Sequence, residues 1–268
     1  MDNDVLGHNR RAWDERVRES KRHTSVASDD DFKNPLLALD RLGWLPHPLK
    51  DRRVLCLASG GGRQAALFAA LGARVTVVDI SPAMLEQDRK VAAERGLELQ
   101  TVEASMDNLS ALADDSFDVV VQPVSTCYVP DIRKVYAELA RVLVAGGLYL
   151  SKHKQPINLQ ASLRPGPLGY TIMESYYAGG PLPPCEPSLH REAGTLEFLH
   201  RWGDLLGGLC RAGFIIEDVV EPRYSEKDAK PGTFGHRSAF VPPYIEFKAR
   251  RLATCPGEGP KLWTPGVA

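Results

Sequence analysis

Three consecutive glycines, Gly60, Gly61 and Gly62, follow a short apolar run, and a carboxylate, Asp79, ends the next such run 19 positions after Gly60. Glycine lacks a Cβ and tolerates positive φ, so a Gly-rich turn between a strand and a helix lets the backbone approach a ligand closely. The helix after such a turn presents unpaired N–H groups to the same place. A carboxylate at the carboxyl end of the neighbouring strand can accept hydrogen bonds from both hydroxyls of a ribose. The pair reads as a site for an adenosine-containing cofactor, without choosing among cofactors of that kind.

The elements that must position this pair are legible in the pattern. RVLCL (53–57) predicts a buried strand that enters the glycines, and a helix follows from Arg63 to Leu71 with Gly72 stopping it. RVTVVD (74–79) is a β-branched run suited to a buried parallel strand. Ser81 is a favoured N-cap and Pro82 a favoured first helical residue, so the next helix runs to about Arg95, with Gly96 closing it. The alternation continues with LELQTV (97–102), FDVVVQ (117–122), a helix near 131–143 and GGLYLSK (146–152). Ile132, Val135, Tyr136, Leu139, Val142 and Leu143 form one apolar stripe on that helix. Residues 155–194 are rich in Pro, Gly and aromatics, with enough apolar content for an ordered lid, and a helix over about 195–212 follows. GFIIEDVV (213–220) and YIEFKAR (244–250) read as strands without a helix between them, so they pair antiparallel. The expected fold is α/β: a doubly wound, Rossmann-like, seven-stranded, mostly parallel sheet with an antiparallel last strand. Residues 1–252 are expected to form one domain, with 1–48 as an N-terminal cap of helices, 155–194 as a substrate lid and 253–268 as a flexible tail.

The bulk composition agrees with one enzyme-sized core. A chain of 268 residues with 43% hydrophobic and 25% charged residues suits a single soluble domain. A formal charge of −1 gives no global electrostatic reason to meet nucleic acid or an anionic membrane, so a small-molecule acceptor is the expected partner, with a monomer or homodimer as the assembly. The five cysteines Cys56, Cys127, Cys185, Cys210 and Cys255 have neither C-x-x-C spacing nor a disulfide framework, which fits a reducing compartment. The N-terminus has no signal-peptide core, and no apolar run reaches the roughly 18 residues of a membrane span. A cytoplasmic location is expected. No H-E-x-x-H, P-loop lysine or G-x-S-x-G constellation occurs, and no metal is expected.

The residues now also support a family. Val54 to Gly62 (VLCLASGGG) lies over the first motif, VLDLGCGTG, of class I S-adenosylmethionine-dependent methyltransferases. Val78 to Leu85 (VDISPAML) lies over the V-D-x-S-x-x-M-L run, Asp114 to Val120 (DDSFDVV) over D-x-S-F-D-x-V, and Leu139 to Gly147 over R-V-L-x-P-G-G. The chain resembles the broad type 11 group of that family, which methylates small molecules, over roughly residues 8–152 and more loosely over 195–250. The resemblance implies S-adenosylmethionine as cofactor, held by Ala58, Ser59, Gly60, Gly62, Asp79, Ile80, Ser105, Met106 and Gln122, with Trp13 as a cap and Met84 as a further packing residue. Two departures stand out: Cys56 replaces the usual acid of the first motif and Ala58 its first glycine, and Ser105 stands where an acid often holds adenine.

Methyl transfer is an in-line displacement at a sulfonium carbon, so the enzyme aligns the acceptor and removes its proton where necessary. His153, just past the predicted fifth strand, is the expected general base or orienting group. Tyr128, Tyr176, Tyr177, His190 and His236 are expected to shape the acceptor pocket, and His200 to be structural. Three alternatives stay open. A NAD-dependent oxidoreductase uses a similar first strand and acid, although the final strand pair and the V-D-x-S-x-x-M-L run argue against it. A catalytically inactive S-adenosylmethionine-binding module is compatible with the altered first motif. A nucleic-acid methyltransferase would bind DNA or RNA with strong salt dependence.

Overall fold

A computed structural model describes residues 4–253; the expected flexible tail lies outside them except for Ala253, as does Cys255. Seven strands, β1 (Arg53–Leu57), β2 (Arg74–Asp79), β3 (Gln100–Glu103), β4 (Phe117–Gln122), β5 (Leu143–Lys154), β6 (Phe214–Val220) and β7 (Tyr244–Arg251), form one sheet in the order β3-β2-β1-β4-β5-β7-β6. β1 to β5 pair in parallel, and β7 runs antiparallel to both β5 and β6. The order reverses beside β1, between β2 and β4, and the carboxyl ends of these strands border the crevice where open α/β sheets bind ligands.

Helices cover both faces. Before the sheet come α1 (Val5–Arg18), α2 (Asp29–Lys33) and α3 (Pro35–Leu39); within it α4 (Gln64–Ala70), α5 (Pro82–Arg95), α6 (Ile132–Val142), α7 (Pro156–Gln160), α8 (Trp202–Arg211) and α9 (Phe234–Arg237). The α5 signals work as their chemistry demands. The Ser81 hydroxyl accepts the Met84 amide, Pro82 opens the helix, and Gly96 closes it at φ +63°. On α6 the stripe Ile132, Val135, Tyr136, Leu139 and Val142 is buried against the sheet, alongside Leu205 and Leu209 of α8. A second apolar layer, with Phe68, Ala65 and Leu85, packs on Val54, Val75 and Val77 from the other face.

Four boundaries depart from the sequence pattern. β3 begins at Gln100 rather than residue 97, and β5 runs two residues further than predicted, through His153 and Lys154, because β7 pairs with both. The helix expected from residue 195 starts only at Trp202. Residues before it are extended, since Phe198 donates its amide to Cys127 and Leu182 donates to Glu197. The short α9 also stands between β6 and β7, where no helix was predicted.

The N-terminal segment is fastened at several points. Asn9 Nδ2 donates to the Tyr128 and Leu196 carbonyls, and its Oδ1 accepts the Leu196 amide at 2.8 Å. Asp14 accepts from the Ser81 hydroxyl at 2.6 Å, which docks α1 on the start of α5. The strap between α1 and α2 is tied by the Ala27 amide to the Gly62 carbonyl. Among the described residues no helix is long and apolar enough to cross a membrane.

Candidate active site

The glycine loop is shaped by its neighbours. Ala58 leaves β1 at φ +47°, the left-handed region that favours glycine, at the position where the resembled motif has one. A Cβ on Gly60 would stand 2.8 Å from Met84 Cβ and 3.0 Å from Asp79 Oδ2, so only glycine fits there. Asp79 Oδ2 accepts the Gly60 amide and Oδ1 the Ser81 amide, each at 2.9 Å. Burial pushes this carboxyl up to about 6, against the opposing pull of those amides. Behind the loop Asp88 accepts the Gly61 amide through Oδ2 at 2.9 Å and the Gly62 amide through Oδ1 at 3.0 Å. It is fully buried, and burial raises it to about 7.

In front of the loop lies a cleft of about 570 Å³, a size that suits a small ligand. One end is lined by Ala58, Ser59, Gly60, Asp79, Ile80, Met84 and Met106. The other is lined by Trp13, Tyr128, Tyr224, Phe234 and Tyr244, with Arg22 and His23 from the strap, Lys152 from β5 and Glu192 from the segment before α8. The cleft thus joins the Asp79 carboxylate and the glycine loop to a cluster of aromatic side chains.

An ionic network fixes the chamber wall. Lys154 Nζ contacts Glu192 Oε2 and Glu197 Oε1, both at 2.5 Å, and Arg191 Nε meets Glu197 Oε2 at 2.5 Å. The Tyr128 hydroxyl donates to Glu192 at 2.7 Å. Burial alone would raise Glu192, but Lys154 and this hydroxyl hold it below its ordinary value. Each charge is paired, as burial requires.

Of the residues expected to hold the cofactor, Trp13, Ala58, Ser59, Gly60, Asp79, Ile80 and Met106 line the cleft. Gly62, Ser105 and Gln122 do not. Gly62 is turned to Asp88, Ser105 bonds to Asp107, and Gln122 accepts from Tyr149 while donating to Ser125, so it braces the loop after β4. Arg10 pairs with Glu103 at 2.8 Å.

His153 is not placed to act as a base, which corrects the sequence expectation. It is 0% exposed, its Nδ1 lies 2.9 Å from Thr126 Oγ1 and its Nε2 2.7 Å from Ser151 Oγ. Its ring packs on Phe247 at 4.7 Å, and burial pushes its pKa down to about 3. Two residues of extra strand put it inside the core. His200 likewise bonds to the Thr126 carbonyl, a structural position.

Of the expected acceptor residues only Tyr128 lines the cleft. Tyr177 is 78% exposed against Arg201, and the Tyr176 hydroxyl accepts the Trp202 amide. His236 meets Tyr170, and His190 stacks behind Phe234 with Arg237 beside it. Sequence reasoning missed Asp88, His23, Glu192, Lys152, Tyr224, Phe234 and Tyr244. Asp88 left a readable signal, a carboxylate among the buried positions Met84, Leu85, Val91 and Ala92 of α5. The others come from loops and strand ends whose meeting only the fold decides.

A family model described as a methyltransferase domain matches residues 55–151. An uncharacterized methyltransferase of Bacillus subtilis (strain 168), YbaJ, is 34% identical over 236 residues, spanning 82% of this chain and 92% of that protein. The chain belongs to the class I S-adenosylmethionine-dependent methyltransferases. An S-adenosylmethionine-dependent methyltransferase of known structure from Mesorhizobium loti, 25% identical with a TM-score of 0.62, covers 82% of this chain and is itself covered to 98%. The ubiquinone biosynthesis O-methyltransferase of Paracidovorax citrulli is 37% identical over 117 residues, 42% of this chain and 48% of that protein. The methyltransferase's own residues fit its cofactor: the Gly60 position has no room for a Cβ, and Asp79 faces the same cleft.

Proposed function

We propose that the enzyme moves the methyl group of S-adenosylmethionine to an oxygen or nitrogen of a small-molecule acceptor. The observation that carries this reading is the single cleft joining the Asp79 end to the aromatic chamber of Tyr128, Tyr224, Phe234 and Tyr244. In it Asp79 receives the ribose hydroxyls, Ile80 and Met106 flank the adenine, and Ser59 and Gly60 bring the backbone to the methionine part. Trp13 covers the site. The bound cofactor supplies an electrophilic methyl group. The chain's part is to align the acceptor and exclude water, which the lid over 155–194 and the N-terminal cap over 1–48 do in this reading. The likeness to an O-methyltransferase of ubiquinone biosynthesis supports a small hydroxylated acceptor. Cys56, Cys127, Cys185 and Cys210 are all free, which supports placing the activity in the reducing cytoplasm.

The test is calorimetric titration of the full chain with S-adenosylhomocysteine, with NADH and with duplex DNA and RNA. Binding of S-adenosylhomocysteine alone is expected. Asp79→Ala removes two charge-assisted hydrogen bonds and is expected to weaken that binding about 100-fold. Preference for NADH, or tight salt-dependent nucleic-acid binding, sinks the reading.

A further inference from the structure

With His153 in the core, the cleft needs another group to receive the acceptor's proton, and the strap supplies one. His23 lines the aromatic chamber with its side chain 43% exposed, and its backbone stands at φ +70°. A non-glycine residue in that region carries strain, and such strain clusters at functional sites. Its Nε2 lies 3.7 Å from Glu192 Oε1. That is about 0.5 Å beyond an N–H···O bond, a gap of the kind that closes when a ligand binds. Glu192 is held for this contact: its other oxygen, Oε2, takes the Tyr128 hydroxyl and the Lys154 ammonium.

We infer that His23, oriented by Glu192, is the general base of this methyltransferase, and that its acceptor is an aromatic hydroxyl; the inference rests on the methyl-transfer reading above. With Nε2 turned to Glu192, Nδ1 receives the proton. The hydroxyl oxygen forms its bond to the methyl carbon as the carbon–sulfur bond breaks, the sulfur keeps that electron pair, and the hydroxyl proton passes to the imidazole. The resulting imidazolium faces the Glu192 carboxylate. The chamber's charge favours an oxygen that turns anionic in the transition state. Arg22 and Lys152, the latter paired with Glu246 at 2.9 Å, line it, while its two acids are Asp79, at the ribose end, and Glu192, paired with Lys154. Tyr224, Phe234 and Tyr244 offer ring faces and edges to a flat acceptor.

The groups that set His23's protonation are Glu192 from the lid, Arg22 beside it, Arg16 from α1 and Lys154 from β5. Burial lowers its pKa, Glu192 opposes this and the three cations reinforce it, so the ring is neutral and able to accept a proton at neutral pH.

The experiment uses the full chain with radiolabelled S-adenosylmethionine and a panel of phenols, catechols and naphthols, with the matching anilines as nitrogen probes. Transfer to phenolic probes is expected, with kcat/KM rising with pH to a plateau as His23 loses its proton. His23→Gln is expected to lose at least about 100-fold in kcat/KM and that pH limb, while S-adenosylhomocysteine affinity stays within about 3-fold. His23→Asn, which tolerates positive φ, gives the same result should glutamine disturb folding. Independently of any acceptor, NMR titration is expected to show the His23 pKa lower in Glu192→Gln. Unchanged rate and pH profile in the His23 variants, transfer to anilines only, or an unmoved titration overturns the inference. S-adenosylhomocysteine binding with no phenol methylated overturns it too, whereas failure to bind S-adenosylhomocysteine overturns the methyl-transfer reading itself.

Discussion

Asp88 accepts the backbone amide of Gly61 at 2.9 Å, and that bond ties the cofactor loop to the helix that follows Asp79. The second oxygen holds Gly62 in the same way at 3.0 Å. Burial of a carboxylate here has a purpose: the loop amides behind the cleft have an acceptor, and the chain at Gly60 keeps its approach to Asp79. Cys56 lies near enough for Asp88 to raise its thiol further, beyond the rise that burial causes.

Removing that acceptor takes away the bond to the Gly62 amide and leaves the Gly61 amide with the Met84 carbonyl alone. Asp88→Ala is expected to cost about 2–4 kcal/mol of stability, read by urea unfolding, and to weaken S-adenosylhomocysteine binding about 10-fold. Full stability in Asp88→Ala would show that the loop holds its shape without the carboxylate.

The same burial sets a pH dependence with a definite sign. Asp88 and Asp79 titrate near 7 and 6 in the fold, both above an ordinary aspartate. Between about pH 4 and 7 the folded chain therefore binds more protons at these sites than the unfolded chain, and their contribution to stability falls as pH rises. Carboxylates held low by partners, such as Asp118 beside Arg53 and Glu138 beside Arg141, act in the opposite sense at lower pH. Comparison isolates the effect: the thermal midpoint of Asp88→Asn is expected to decline less than that of the wild type from pH 4 to 7. Parallel curves would contradict it.

Lys154 is the shared cation of two buried acids. Lys154→Met leaves Glu192 without its buried cation and Glu197 with Arg191 alone, and about 3–5 kcal/mol of stability is expected to go with it. Because both acids belong to the extended segment before α8, limited proteolysis should cut between residues 182 and 200 faster in this variant. Wild-type protease resistance would count against the network as the anchor of that segment.

Much of the cofactor half was legible because its signals are local. Ser81, Pro82 and Gly96 bound α5, the β-branched run ends at Asp79, and the glycines fall where a close approach is needed. The chamber was not legible for the complementary reason. Whether His153 is in the core or past the strand end depends on β7, whose Ile245 pairs with it. Residues 196–198 read as helix, yet their backbone bonds go to Asn9, residue 182 and residue 127, partners far along the chain. Tyr224, Phe234 and Tyr244 come from one long connection and the strand after it, and nothing in their spacing announces a common wall.

The Asn9 clasp has a consequence for how the chain is cut. Its side chain, 1% exposed, bonds in both directions with Leu196, 187 positions away. The first helix and the segment leading into α8 therefore belong to one cooperative unit. A truncation that removes Asn9 also removes the bonding partner of the Leu196 backbone, far along the chain.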